Sequence, residues 1–382
     1  MFALTPGHGH VYPTLPLAAA LRDRGHAVSY AMIDAPVLRQ AIESRGHEFV
    51  VLPPTQAEQQ ARFAEAWAEL AGLEGEELEA RGLARLFVPL VEPALDPLVA
   101  HLVRWRADLV VHELTGLFGP LAAAVVGIPS VDHGTGFGFP ASARGAGDAM
   151  APMWRERGLA PDRYAGIYRH LHLDLFPPSL PDPIVATLDP AAVRPMRPIA
   201  LRSDAGDAGV PLPVTGRTRV VTTLGTVFDD DPAAWDAIER AVGGLGPGVE
   251  VLRLRPGAAF VPIGDALDGA RVVVSHGGAG TVLAALAAGV PLVVVPRGAD
   301  QHAISAAAVA AGVAVEAPPI AEAVAAAIDK VLDGDLDGGV ARLRREIESM
   351  PAPDALVDVL VDVTRREPAW RSVSSGHGSP AS

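Results

Sequence analysis

The sequence predicts an α/β fold made of two related halves, each a parallel sheet with crossover helices. Three observations carry this reading. Short β-rich runs alternate with longer helical ones along most of the chain, which is the pattern of a parallel sheet whose strands are joined by helices. A glycine repeatedly closes a helix just before a strand, as at Gly25 and Gly46, where the left-handed cap favours glycine. The turn Gly127–Ile128–Pro129 of the first half returns in the second as Gly289–Val290–Pro291, each time ahead of an apolar run.

In chain order, residues 2–5 read as a strand cut short by the start of the chain. Residues 14–24 follow as a helix stopped by Gly25, then a strand at 27–31. The Arg45-Gly46-His47 stop leads to a strand at 48–52. Residues 56–98 are rich in Ala, Leu and Glu, read as mostly helical, and interrupt the first half as an insertion suited to lining a cleft. Residues 109–111 are a buried-strand candidate, 117–126 a helix, and 130–132 the strand beyond the Gly-x-Pro turn. Proline-rich residues 176–217 lack periodicity, and their later part, from 195, reads as the interdomain connection. The second half then repeats the design: strands at 220–222, 272–275 and 292–295, with helices at 281–288 and 303–311. Serine and glycine dominate residues 368–382, which read as a frayed tail.

A chain of 382 residues is long enough for two cores. Its 31 basic and 45 acidic side chains give a net charge of −14, which offers no field for nucleic acid or an anionic membrane. There is no cysteine, so disulfides, thiol catalysis and zinc–thiolate sites are excluded. The opening apolar stretch is shorter than a signal-peptide core, and the longest apolar run, 283–296, contains Gly289 and Pro291 and is too short to span a bilayer. The expectation is a cytoplasmic protein.

The strongest local motif is Val272-Val-Val-Ser-His276-Gly-Gly-Ala-Gly-Thr281. An apolar strand ends in a glycine-rich turn that opens a helix. Glycines let backbone N–H groups approach an anion, and the helix start adds its positive dipole end. His276 and Thr281 bring further donors, so a phosphate or diphosphate is the expected ligand, against the alternative of a tight turn in which glycine only avoids clashes. The spacing is neither a Walker loop nor the dinucleotide fingerprint. Thr223-Leu-Gly225-Thr226 places hydroxyls at the end of a strand, where open α/β sheets bind ligands, although an ordinary strand-ending turn explains it too. In Pro296-Arg-Gly-Ala-Asp300-Gln301 a carboxylate and an amide stand side by side, suited either to neighbouring sugar hydroxyls or to capping a helix at Asp300.

In the first half, Gly7-His8-Gly9-His10-Val-Tyr-Pro13 lies between the first strand and the first helix. A histidine there can act as a general base near neutral pH. Glu113, at the end of the strand at 109–111, can hold the second ring nitrogen, or can equally cap a helix or face solvent. Two other features are set aside. Asp333-Gly-Asp335-Leu-Asp337-Gly338 begins like a calcium loop, but Arg344 stands where a bidentate glutamate is required. His26 and His47 follow helix-stop glycines and read as surface residues.

Together these motifs resemble the inverting glycosyltransferases of the GT-B fold, above all the bacterial enzymes that glycosylate macrolides, enediynes and aromatic polyketides. The resemblance spans roughly residues 1 to 365, and the order Gly-His-x-x-Pro, then His-Gly-Gly-x-Gly-Thr, then Asp-Gln is what makes it specific. It implies two Rossmann-like domains facing across a cleft: 1–197 for the acceptor, a linker at 198–216, 217–367 for a nucleotide sugar, and the tail at 368–382. His10 matches the catalytic base, and Glu113 its partner carboxylate, usually an aspartate. Thr226, His276, Gly277, Gly278, Gly280 and Thr281 match the diphosphate contacts, Asp300 and Gln301 the sugar contacts, and Val261 with Pro262, next to Phe260, the nucleobase segment. The family's C-terminal helix returns to the first domain, and residues 354–366 are placed to do so.

The implied chemistry is a single displacement. An acceptor hydroxyl loses its proton to His10 and attacks the anomeric carbon with inversion. His276, Thr226 and the N–H groups of residues 277–281 take up the charge on the leaving diphosphate, so no metal cofactor is expected. Thymidine diphosphate sugars are what the bacterial relatives imply, with uridine diphosphate as the alternative. Phe63, Trp67, Phe87, His133, Phe137 and Trp154 are the expected acceptor-binding side chains, with Leu70, Leu90, Met153 and Tyr168 nearby; ordinary helix packing accounts for such residues equally well. Two rival functions are a sugar-nucleotide epimerase of the same architecture and a non-catalytic sugar-nucleotide-binding protein. The partners are small molecules, and a homodimer is left open.

Overall fold

The computed structural model describes residues 1–203, 216–226, 231–255 and 260–365. Most of the expected linker and the whole expected tail therefore lie outside the described residues.

The described residues form two parallel sheets. The first contains β1 (Phe2–Ala3), β2 (Ser29–Met32), β3 (Glu48–Val51), β4 (Val110–His112), β5 (Ser130–His133), β6 (Leu171–Asp174) and β7 (Val193–Pro195). Its order is β3-β2-β1-β4-β5-β6-β7. The second contains β8 (Thr218–Thr223), β9 (Val249–Leu254), β10 (Ala270–Ser275), β11 (Leu292–Val294) and β12 (Ala314–Glu316), in the order β12-β11-β10-β8-β9. Every pairing is parallel. Both sheets are the doubly wound arrangement, in which strand order reverses beside the first strand and ligands bind beyond the strand ends at that reversal.

Helices α1 (His8–Val11), α2 (Leu15–Asp23), α3 (Pro36–Glu43), α4 (Gln56–Leu70), α5 (Gly75–Phe87), α6 (Val91–Trp105), α7 (Phe118–Val126) and α8 (Pro140–Glu156) serve the first sheet. Helices α9 (Pro232–Gly243), α10 (Ile263–Ala266), α11 (Ala279–Ala288), α12 (Gln301–Ala310), α13 (Ala321–Leu332) and α14 (Asp337–Ser349) serve the second, and α15 (Val357–Arg365) ends the described chain. Gly127 and Gly289 both cap their helices in the left-handed conformation and lead into strands, as the repeated turn predicts.

Alternation along β1 explains how the cores divide. Phe2 joins one buried cluster, which continues through Tyr30 and Met32 into Val220, Val272 and Val293 of the second sheet. Ala3 joins the other, on the opposite face, with Val110, Leu98 and Leu121. The inserted helices behave partly as expected. With an intervening 3₁₀ turn, α5 and α6 make a continuous run, Gly75–Trp105, long and apolar enough by composition to cross a membrane. The sequence had suggested no such run. Val91, Leu95, Leu98 and Leu102 of that run are buried in the cluster that holds Ala3, which is the packing of a core helix.

The last described residues turn back to the first half. Arg24 Nη2 bonds Asp358 Oδ1 at 2.6 Å, Ser179 Oγ donates to Glu346 Oε1 at 2.6 Å, and Arg197 Nε donates to the Met350 carbonyl at 3.1 Å. One surface expectation fails: His47, just ahead of β3, is buried and tilted against the Tyr30 ring of β2 at 5.7 Å, whereas His26 is exposed. Of the Asp333–Gly338 stretch, residues 333–336 join α13 to α14 and Asp337 and Gly338 begin α14.

Candidate active site

In the first sheet the order reverses between β1 and β4. His10 follows β1, and Glu113 immediately follows β4, so the reversal itself brings them together. His10 Nδ1 lies 3.0 Å from Glu113 Oε2. His10 sits in the one-turn helix α1 rather than in the open loop the glycines suggested, because the Gly7 carbonyl accepts from both His10 N and Val11 N.

Glu113 is fully buried. Its Oε1 accepts from Thr5 N at 3.1 Å and its Oε2 from Thr115 N at 2.7 Å; the Thr115 hydroxyl lies 2.8 and 2.9 Å from the two oxygens. Burial alone would raise its pKa, but the facing His10 and these donors hold it down to about 2. Burial opposes charge on His10, yet Glu113 and, more weakly, Asp300 raise its pKa above the ordinary 6.5. A carboxylate can only accept, so Nδ1 carries the proton and Nε2 is left as the basic nitrogen.

In the second sheet the reversal falls between β8 and β10. Thr223–Thr226 follow β8, and His276 follows β10. A Cβ at Gly225 or Gly278 would come within 2.6 or 2.5 Å of the His276 ring, so the two glycines leave the slot the imidazole fills. Burial pushes His276 down to about 4, against the Thr223 carbonyl; the ring is neutral near pH 7. At the start of α11 the donors differ from expectation. Gly277 N–H is held by Ser275 Oγ and Thr281 N–H by the Gly278 carbonyl, because the turn closes on itself. The N–H groups of Gly278, Ala279 and Gly280 have no partner among the described residues. Gly280 and Thr226 are exposed, and Thr281 is half-buried.

Asp300 stands at the N-cap position of α12, yet its side chain makes no cap bond. Its Oδ2 accepts instead from Phe137 N–H at 3.0 Å, in the loop after β5, and burial pushes its pKa up. Gln301 is buried, and its Oε1 accepts from Arg297 N and Gly298 N at 2.8 and 3.2 Å, so the amide oxygen braces its own loop. Val261 and Pro262 are half-buried. Beside them the exposed Phe260 ring lies 5.8 Å from Tyr12 and 6.4 Å from His8, both in the first half.

The expected acceptor residues divide. Phe63 and Phe87 meet edge to face at 5.4 Å and are half-buried, and Trp67 is 48 % exposed. Trp154 is a correction: it is fully buried among Gly166 and Arg169, because α8 turns it into the core. Leu70, Leu90 and Tyr168 are also buried, as are His133 and Phe137, the latter against Phe176 at 4.7 Å. Sequence reasoning missed Thr115 and the Phe137 N–H. The signal for Thr115 was a hydroxyl two positions beyond the candidate carboxylate; a backbone donor leaves no signal.

Two parallel sheets, each with polar groups gathered at its strand-order reversal, with a histidine–carboxylate pair at one and a glycine-rich helix start at the other, make up the arrangement of a GT-B glycosyltransferase. The chain belongs to the erythromycin biosynthesis protein CIII-like family: residues 20–189 match its N-terminal domain and residues 248–363 its C-terminal domain. It is 32 % identical over 341 residues to elloramycin glycosyltransferase ElmGT of Streptomyces olivaceus, covering 80 % of this chain and 82 % of the relative. Its fold is similar to that of the glycosyltransferase SnogD from Streptomyces nogalater, with a TM-score of 0.69 and 28 % identity over 95 % and 98 % of the two chains. It is also similar to SsfS6 of Streptomyces sp. SF2575 in complex with thymidine diphosphate, with a TM-score of 0.73 and 26 % identity over 95 % and 99 %. The protein is a glycosyltransferase of natural-product biosynthesis.

Proposed function

We propose that the protein transfers a sugar, a deoxysugar in the first instance, from a thymidine diphosphate donor to a hydroxyl of a hydrophobic aglycone, with inversion and with His10 as general base. The observation that carries this reading is the 3.0 Å contact between His10 Nδ1 and a buried, ionised Glu113. It leaves Nε2 free to take the proton of the attacking hydroxyl.

In this reading the acceptor oxygen forms its bond to the anomeric carbon as the bond from that carbon to the diphosphate oxygen breaks. The acceptor proton passes to His10 Nε2, and Glu113 stabilises the imidazolium without taking the proton. The electron pair leaves with the nucleoside diphosphate. The N–H groups of Gly278, Ala279 and Gly280, the dipole of α11, neutral His276 and Thr226 meet its growing charge. These groups supply the stabilisation in place of a divalent cation, so we propose no metal cofactor. In-line attack inverts the anomeric centre. Asp300 and the free amide nitrogen of Gln301 meet the sugar hydroxyls, Val261 and Pro262 the base, and Phe63, Trp67 and Phe87 the aglycone. The solved complex of SsfS6 with thymidine diphosphate supports that donor class, and a nucleotide-sugar donor supports a cytoplasmic site of action. Relatives described as transferases favour this reading over the epimerase and the non-catalytic binder.

His10→Ala tests it. Transfer to an aglycone is expected to vanish while thymidine diphosphate still raises the melting temperature. Retained turnover would remove His10 as the base. Stabilisation by uridine diphosphate alone would change the donor.

A further inference from the structure

Glu113 is one methylene longer than the aspartate that the resemblance leads one to expect, yet the His10 contact is made. The structure accounts for the extra length. The side chain folds back over its own turn, so that Oε2 accepts from the N–H two residues on, Thr115, at 2.7 Å. The Thr115 hydroxyl closes the fold from the other side, 2.8 and 2.9 Å from the two oxygens. It also lies 3.5 Å from His10 Nδ1. A threonine just ahead of a helix commonly caps it, but α7 starts with no side-chain cap, and the carboxylate takes the hydroxyl instead.

We propose that Thr115 is a positioning residue for the His10–Glu113 pair: its backbone N–H holds the carboxylate folded back towards the imidazole, and its hydroxyl draws off part of the carboxylate's charge, which sets the pH at which His10 becomes free to act as a base. This rests on the reading of His10 as base. At Oε2 the imidazole shares one carboxylate lobe with two donors from Thr115. Each added donor makes a carboxylate a weaker partner for a cation. The other titratable groups near the pair are Asp300 in the loop before α12, which acts on His10, and His112 at the end of β4 and His133 at the end of β5, which sense Glu113. None of these is altered by a change at Thr115.

The sign follows. Thr115→Val keeps the shape and the backbone N–H but removes the hydroxyl. The carboxylate then acts more strongly on His10, the imidazolium becomes harder to deprotonate, and the acidic limb of kcat/KM moves to higher pH. A move of roughly half a pH unit, or about threefold in rate on that limb, is expected. Thr115→Ser restores the donor and returns the limb to its wild-type place. Thermal stabilisation by thymidine diphosphate, which binds the other half in this reading, reports that each variant is folded. Full pH profiles of wild type, Val and Ser variants, with His10→Ala beside them, decide the matter. A Val limb at the wild-type pH, or a Ser limb that moves with Val, overturns the role of Thr115 while an inactive His10→Ala leaves the base standing. Transfer retained by His10→Ala would instead remove the base, and with it this inference.

Discussion

Phe137 N–H donates to Asp300 Oδ2 at 3.0 Å, so a carboxylate beside the second sheet is held by a loop of the first. The approach depends on the neighbouring glycine: a Cβ on Gly136 would lie 2.5 Å from the same oxygen. The carboxylate proposed to meet the donor sugar is thus already bonded to the loop that follows β5, on the acceptor side. Gly136→Ala is expected to push Asp300 aside and raise the KM for the nucleotide sugar on the order of tenfold, the worth of one hydrogen bond to a charged group. Thymidine diphosphate, which lacks the transferred sugar, should bind the variant as it binds the wild type by calorimetry. An equal loss for both would place the effect in the fold.

The pH dependence of transfer follows from His10. Its pKa is raised above 6.5 by Glu113 and Asp300 against the effect of burial. A base must be unprotonated to act, so kcat/KM should fall on the acid side with an apparent pKa above 6.5. Glu113→Gln removes the charge, leaving burial to dominate, so the limb should move to lower pH. The rate on the plateau should also drop about a hundredfold or more as the imidazolium loses its partner. Steady-state rates from pH 5.5 to 9 read both effects; a limb that moves up in Glu113→Gln would contradict the pairing.

His276 works as a neutral donor in this account, since burial holds its pKa at about 4. Removing a donor to a charged phosphate oxygen costs roughly 1.5–3 kcal/mol. His276→Ala should therefore weaken thymidine diphosphate binding about tenfold to a hundredfold in calorimetry. His276→Gln keeps a neutral N–H donor and should recover part of that loss, which an essential positive charge would not allow.

How far the sequence could be read depended on what kind of signal each feature leaves. Strand ends, glycine caps and the glycine-rich turn before α11 follow local rules, and they were legible to within a few residues. Placing His10 after the first strand and Glu113 at the end of the strand at 109–111 needed only local patterns; that the two strands are neighbours at a reversal is seen in the fold. What stayed hidden was decided by long-range packing or by the backbone. Trp154 reads like a pocket aromatic, but α8 faces it inward. Gln301 reads like a free amide, but its oxygen is taken by Arg297 N and Gly298 N. Asp300 reads like an N-cap, and only the tertiary fold brings Phe137 N–H to it. The burial of His47 depends on its packing against Tyr30 of β2, not on the glycine before it.

Stability in acid should be limited by histidines buried in neutral form. His133 is fully buried. Burial takes its pKa from 6.5 to about 4. The unfolded chain therefore binds a proton below pH 6.5 that the folded one refuses, and stability falls as the pH drops from 6.5 towards 4. For this one side chain the loss is about 3 kcal/mol across that range. His172 works the other way: Asp132 Oδ2 lies 2.7 Å from its Nδ1 and raises its pKa despite burial, so it adds stability below 6.5 that is lost as pH rises. His133 can be isolated by substitution. His133→Asn removes the titrating ring, so whatever its melting temperature at pH 8, it should lose less of it by pH 5 than the wild type does. Parallel melting curves across that range, read by circular dichroism, would refute the assignment if the two proteins lost stability at the same rate.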